Sequence, residues 1–80
     1  MYDYAKKNIP PSEIVSFHKP RLFYFQTGIK SIRTDTDTFF LQSNAKYKVV
    51  SVDEMARVNL NVVQLAFKNE RFAVYRRTEY

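Results

Sequence analysis

Polar and apolar positions follow one clear helical period only over residues 51–69, SVDEMARVNLNVVQLAFKN. Set at about 100° per residue, Glu54, Arg57, Asn61, Gln64 and Lys68 fall in one polar arc. Met55, Ala56, Val58, Leu60, Val62, Val63, Leu65, Ala66 and Phe67 share the rest of the wheel, and only Asn59 falls on the wrong side. Ser51 and Glu54 fit an S-x-x-E capping box, with Asp53 as a rival cap, and Asn69 can supply a left-handed terminating residue. The pattern predicts an amphipathic helix over about 52–68. A strand reading competes with it, because Val58, Leu60 and Val62 alternate with Arg57, Asn59 and Asn61, and β-branched valines do not help a helix. That alternation breaks at Val62 and Val63, whereas the polar arc holds throughout, and this decides for the helix.

The remaining segments are shorter. RLFYFQT, residues 21–27, is dense in aromatic side chains and bounded by Pro20 and Gly28, so it reads as a strand. In it Phe23 and Phe25 share one face, and Leu22 and Tyr24 the other. Residues 29–33 read as a second strand after a turn or bulge at Gly28. TDTDT, residues 34–38, reads as a turn, since Asp and Thr side chains bond locally to backbone. Residues 39–43 read as a third strand and residues 46–52 as a fourth, with Tyr47 and Val49 opposite Lys46 and Lys48. A last strand covers about 71–77, with Phe72 and Val74 facing away from Arg71, Ala73, Tyr75 and Arg77. Residues 1–20 are read as an extended arm or a short helix begun by Ser12 behind Pro10 and Pro11. The expected architecture is α+β, a single domain over 1–80. It has a small antiparallel sheet of four to five strands, one amphipathic helix on one face and a C-terminal strand.

Such a sheet leaves a second face to explain. Phe23, Phe25, Phe39, Leu41, Tyr47, Val49, Phe72 and Val74 would face the helix. Tyr24, Phe40, Lys46, Lys48, Arg71, Tyr75 and Arg77 would gather opposite. Rings mixed with cations on an open sheet suit single-stranded nucleic acid, because bases stack on the rings and phosphates meet the cations. Tyr24, Lys46, Lys48, Arg71, Tyr75 and Arg77 are therefore the candidate nucleic-acid-binding residues. The competing reading is that residues 1–20, or a second copy of the chain, cover that face.

Charge agrees with an anionic partner. The formal net charge is +5, and residues 21–50 hold five Lys or Arg against two acids, while residues 51–69 are balanced. The chain has no cysteine and one histidine, which excludes disulfides and thiolate zinc sites. Asp35-x-Asp37 lacks the glycine and distal glutamate of a calcium loop, so no metal or cofactor is expected. A single glycine leaves no glycine-rich phosphate cradle. Seven Phe and six Tyr supply the core that a chain of 80 residues would otherwise struggle to build. No apolar run can span a membrane, and the amino end lacks a signal-peptide core, so a cytoplasmic protein is expected.

Catalysis finds little footing. His18 stands apart from any nucleophile, and the pairs Asp35/Asp37 and Asp53/Glu54 suit a turn and a helix start better than acid–base work. The surviving enzyme reading is a metal-independent ribonuclease using Tyr75, Arg76 and Arg77, and the expectation is that the protein is not an enzyme. The tail RFAVYRRTEY resembles the stretch of LytTR-type DNA-binding domains in which a Phe precedes a His-Arg-Ser triplet. Phe72 matches the Phe, and Arg76, Arg77 and Thr78 the triplet. The expected upstream strands and helix fall in a similar order, but the close match covers only the tail and the histidine is replaced, so the resemblance is not adopted. Two functions are expected. The first is a small non-enzymatic nucleic-acid-binding or regulatory protein acting on single-stranded nucleic acid or DNA. The second is a protein-interaction module, such as an inhibitor or adaptor of a host enzyme encoded by a virus or mobile element, or a homodimer.

Overall fold

The run IVSF, residues 14–17, carries no charge and no clean alternation, as befits a strand buried on both faces. In the computed structural model, which describes residues 1–34 and 36–78, this run is β1 (Ile14–Ser16), flanked by strands on both sides. Asp35, Glu79, Tyr80 and the side chain of Asp37 lie outside the described residues. With them fall part of the expected 34–38 turn, the Asp35/Asp37 pairing and the last two residues of the tail.

The sheet has five strands in the order β2-β1-β3-β5-β4, with β2 at Lys30–Ile32, β3 at Tyr47–Ser51, β4 at Val63–Lys68 and β5 at Phe72–Arg77. β1 runs parallel to both β2 and β3, while β5 is antiparallel to β3 and β4. The fold is mixed α+β, and the expected all-antiparallel sheet is corrected to a mixed one. The cause lies in the connections. Parallel neighbours need crossovers, and two segments expected as strands are helices that make them.

The first is α2 (Pro20–Thr27), the RLFYFQT segment. Pro20 occupies the first turn, where its missing N–H costs nothing. Gly28 ends the helix in the left-handed region at φ 74°, its N–H donating to the Tyr24 carbonyl at 2.7 Å. Phe23 is fully buried beneath it while Phe25 is 82 % exposed, so those two do not share a face. The second is α3 (Asp37–Gln42), in place of the strand expected over 39–43. Thr36 caps it, its Oγ1 accepting from the Phe39 N–H at 3.2 Å.

The largest correction falls on residues 52–68. Val52–Arg57 form a 3-10 helix, and the chain then turns and returns as β4. Ser51 precedes that helix without any side-chain capping bond. Asn59 Oδ1 accepts from the Asn61 N–H at 3.0 Å, a local turn bond that competes with helix. Asn69 Oδ1 accepts from the Arg71 and Phe72 N–H groups at 2.9 and 2.8 Å, closing the β4–β5 hairpin instead of ending a helix. The rival alternation of Val58, Leu60 and Val62 does not form a strand either: those residues lie in the bend and turn after the 3-10 helix, and β4 begins at Val63, where the alternation breaks.

Residues 1–20 are corrected as well. Tyr2–Asn8 form α1, residues 11–13 turn, and β1 enters the sheet. Both faces are covered as a result. α1 and α2 bury Ala5, Ile9, Phe23 and Ile29 against Val15, Phe17, Val49 and Val74. On the other face Phe40 of α3 packs with Ala45, Val63, Ala73 and Tyr75, joined by Met55 and Val58 from the 3-10 helix and its end. Successive crossovers, β1 to β2 and then β2 over β1 to β3, travel in opposite directions across the sheet. Connections of one hand then put their helices on opposite faces.

Candidate anion-binding cleft

A reversal of winding direction opens a crevice at the carboxyl ends of the two strands where it occurs, here β1 and β3. The cleft found there measures about 360 Å³. Ser16, Phe17 and His18 line it from the end of β1, and Arg33, Thr34 and Thr36 from the segment after β2. Lys48, Val49 and Val50 come from β3, and Glu54, Arg57 and Val58 from the 3-10 helix. Three permanent cations and a histidine therefore line one concavity together with a single described acid. Their fields add where water is partly excluded.

Neighbouring packing sets the positions of these groups. Ser16 is 3 % exposed, and its Oγ shares a hydrogen bond of 2.5 Å with Thr34 Oγ1, tying β1 to the segment that carries Arg33. The His18 ring meets the Phe17 ring at 4.5 Å between centroids. Lys48 Nζ stands 5.4 Å from the centre of the Phe40 ring, and the Arg77 guanidinium carbon stands 4.8 Å from the same ring. Arg77 Nη2 also donates to the Phe40 carbonyl at 2.6 Å. A buried ring attracts cations to its faces, so Phe40 helps to hold both.

The six expected binding residues divide. Lys48, Tyr75 and Arg77 lie on the α3 face, with Lys48 directly opposite Tyr75 across the β3–β5 ladder. Lys46 adjoins them, its carbonyl accepting from the Arg77 N–H at 2.8 Å. Tyr24 stands on α2 and is 57 % exposed, and Arg71 sits in the β4–β5 hairpin, so neither joins the group. Tyr75 is buried, and burial holds its hydroxyl pKa above the usual 10.0. Its ring is core rather than a platform. The face expected to be open is closed by α3 and the 3-10 helix.

Ser16, His18, Arg33, Thr34 and Arg57 were not among the expected site residues. His18 carried a usable signal, since it is the first ionisable residue after the apolar run 14–17 that proves to be a parallel strand, whereas Arg33 follows a strand that itself contains Lys30. Arg57 carried none, being lost in the polar arc of a helix that does not form. Among the described residues no group of three or more His, Cys, Asp or Glu side chains could hold a metal ion, and no helix is long and apolar enough to cross a membrane. No family model, curated protein or solved structure matches this chain.

Proposed function

We propose that this is a small non-enzymatic nucleic-acid-binding or regulatory protein, and that it engages single-stranded nucleic acid through the cleft at the ends of β1 and β3. The observation that carries the reading is the meeting of His18, Arg33, Lys48 and Arg57 in one concavity of about 360 Å³. A site of that size admits a phosphate with its sugar or base and excludes a duplex. Cations supply affinity without chemistry, and Ser16 and Thr34 add hydroxyls that can bond phosphate oxygens. Lys46 and Arg77 do not line the cleft, although Arg77 shares the Phe40 ring with Lys48, which does.

The test is fluorescence anisotropy with a labelled single-stranded oligonucleotide across a salt series. Affinity is expected to fall steeply with salt, and Arg57→Ala to flatten the logarithmic slope by roughly 0.7, the value of one released counterion on a single strand. Absence of binding even at low salt would falsify the proposal. A protein-interaction module, such as a virus- or mobile-element-encoded inhibitor or adaptor, or a homodimer, is the second reading. Its support is the exposure of Phe25 at 82 %, Leu60 at 67 % and Phe39 at 60 %. Light scattering that returns a dimer whose contacts occlude the cleft would favour it.

A further inference from the structure

The outer edge of the sheet carries a second feature that suits the same ligand. β2 is an edge strand with β1 as its only neighbour among the described residues. Beside its start, Arg21 and Tyr24 of α2 and Lys30 and Ser31 of β2 line an open depression of about 500 Å³. Tyr24 leaves 57 % of its surface in solvent, although the adjacent Phe23 is fully buried. Ser31 also lines the depression, although its Oγ is buried and makes no hydrogen bond among the described residues. At its far end β2 leads into Arg33 and Thr34, which line the cleft. Ser31 and Thr34 are about 10 Å apart along an extended chain at roughly 3.3 Å per residue.

We infer that Tyr24, flanked by Arg21 and Lys30, is a base-stacking subsite, and that a single strand crosses the β2 edge with one base on Tyr24 and a phosphate in the cleft. This rests on the reading of the cleft given above. An exposed ring between two cations offers a base its face and the neighbouring phosphates their counter-charge. A duplex, whose base faces are already stacked, cannot use it. The arrangement makes affinity depend on ligand length, since a mononucleotide fills the cleft alone while a longer strand occupies both places.

The experiment compares wild type, Tyr24→Ala, Tyr24→Phe and Arg57→Ala. The probes are thymidine 5′-monophosphate and an oligothymidylate of about eight nucleotides, within the span such proteins cover. Tyr24→Ala is expected to weaken oligomer binding roughly 5- to 150-fold, the range for one lost stack, and to leave the mononucleotide unaffected. Tyr24→Phe keeps the ring and is expected to bind as wild type does, while Arg57→Ala weakens both probes. If Tyr24→Ala binds the oligomer normally while Arg57→Ala does not, the stacking subsite is overturned and the cleft survives. If wild type binds neither probe, both are overturned.

Discussion

The two faces of the sheet are built from different chemistry. Under α1 and α2 the contacts are aromatic and aliphatic. The Phe17 ring meets those of Tyr2, Phe23 and Phe72 at 6.4, 5.5 and 5.8 Å between centroids, and Tyr4 stacks on Phe67 at 4.4 Å. Under α3 and the 3-10 helix a smaller core surrounds Phe40, with Lys48 and Arg77 against its ring and a polar cleft at its margin. A chain this short cannot hollow out its principal core and remain folded. The division lets one face supply most of the stability while the other tolerates charge and open space.

The largest test of that division is Phe23→Ala. Phe23 is exposed neither to solvent nor to the cleft, being 0 % accessible against Tyr2 and Phe17. Its truncation is expected to cost about 3–5 kcal/mol, measured by urea unfolding. Oligonucleotide affinity of the fraction that remains folded should not change. A specific loss of affinity would break the comparison, because it would show that Phe17, which packs on Phe23 and also borders the cleft, carries the disturbance to the ligand.

Phe40→Leu probes the other face at lower cost. It keeps an apolar side chain of similar volume but removes the ring against which Lys48 and Arg77 rest. The expected loss is about 1–2 kcal/mol. Here affinity should fall as well, because Lys48 loses a contact that restrains it in the cleft. Stability lost without affinity would show that Lys48 is positioned by other contacts.

Thr34→Val is a smaller change on the same side. It deletes the partner of Ser16 Oγ, which is buried beside the cleft. An unsatisfied hydroxyl there is expected to cost about 1 kcal/mol, the low end of the range, since the cleft gives it access to water. Bound phosphate can replace the lost partner, so the difference in melting temperature from wild type should shrink when phosphate is added. A gap that phosphate leaves unchanged would separate Ser16 from the site.

Sequence made β2, β3 and β5 legible because residues alternate or concentrate there as strand neighbours require. Val49 and Val74 face α1 and α2, and Val50 and Ala73 face α3, as their positions imply. The helices were missed through punctuation read with the wrong meaning. Pro20 and Gly28 bound a helix as naturally as a strand, and Thr36 caps one where a free turn was expected. Residues 51–69 failed differently. Their helical arc was real but unused, because Asn59 and Asn69 bond their own following backbone and Val63, Leu65 and Phe67 find a partner in β5. The cleft followed those errors. It depends on parallel pairing of strands 14–16, 30–32 and 47–51, and pairing partners that far apart leave no local trace in a sequence.

The smallest expected effects concern two tyrosines, one on each face. Burial raises the pKa of Tyr2 under α1 and of Tyr75 under α3 above the usual 10.0. Each folded hydroxyl therefore keeps its proton where the unfolded one has begun to lose it. The stability this represents is fully present below about pH 10 and is lost as pH rises through the raised values. Unfolding free energy should accordingly decline in alkali, with no counterpart at neutral pH. Tyr2→Phe and Tyr75→Phe should each remove part of that decline, and the double variant should remove the sum, because sites on opposite faces act independently. The two parts need not be equal. Tyr75 is 2 % exposed, whereas Tyr2 is only partly buried beside the rings of Phe17 and Phe23. The larger flattening is therefore expected from Tyr75→Phe, and it would show that Phe40 and its neighbours seal their core. An equal or larger one from Tyr2→Phe would mean that the rings of Phe17 and Phe23 keep water from its hydroxyl as completely as the Phe40 core keeps it from that of Tyr75.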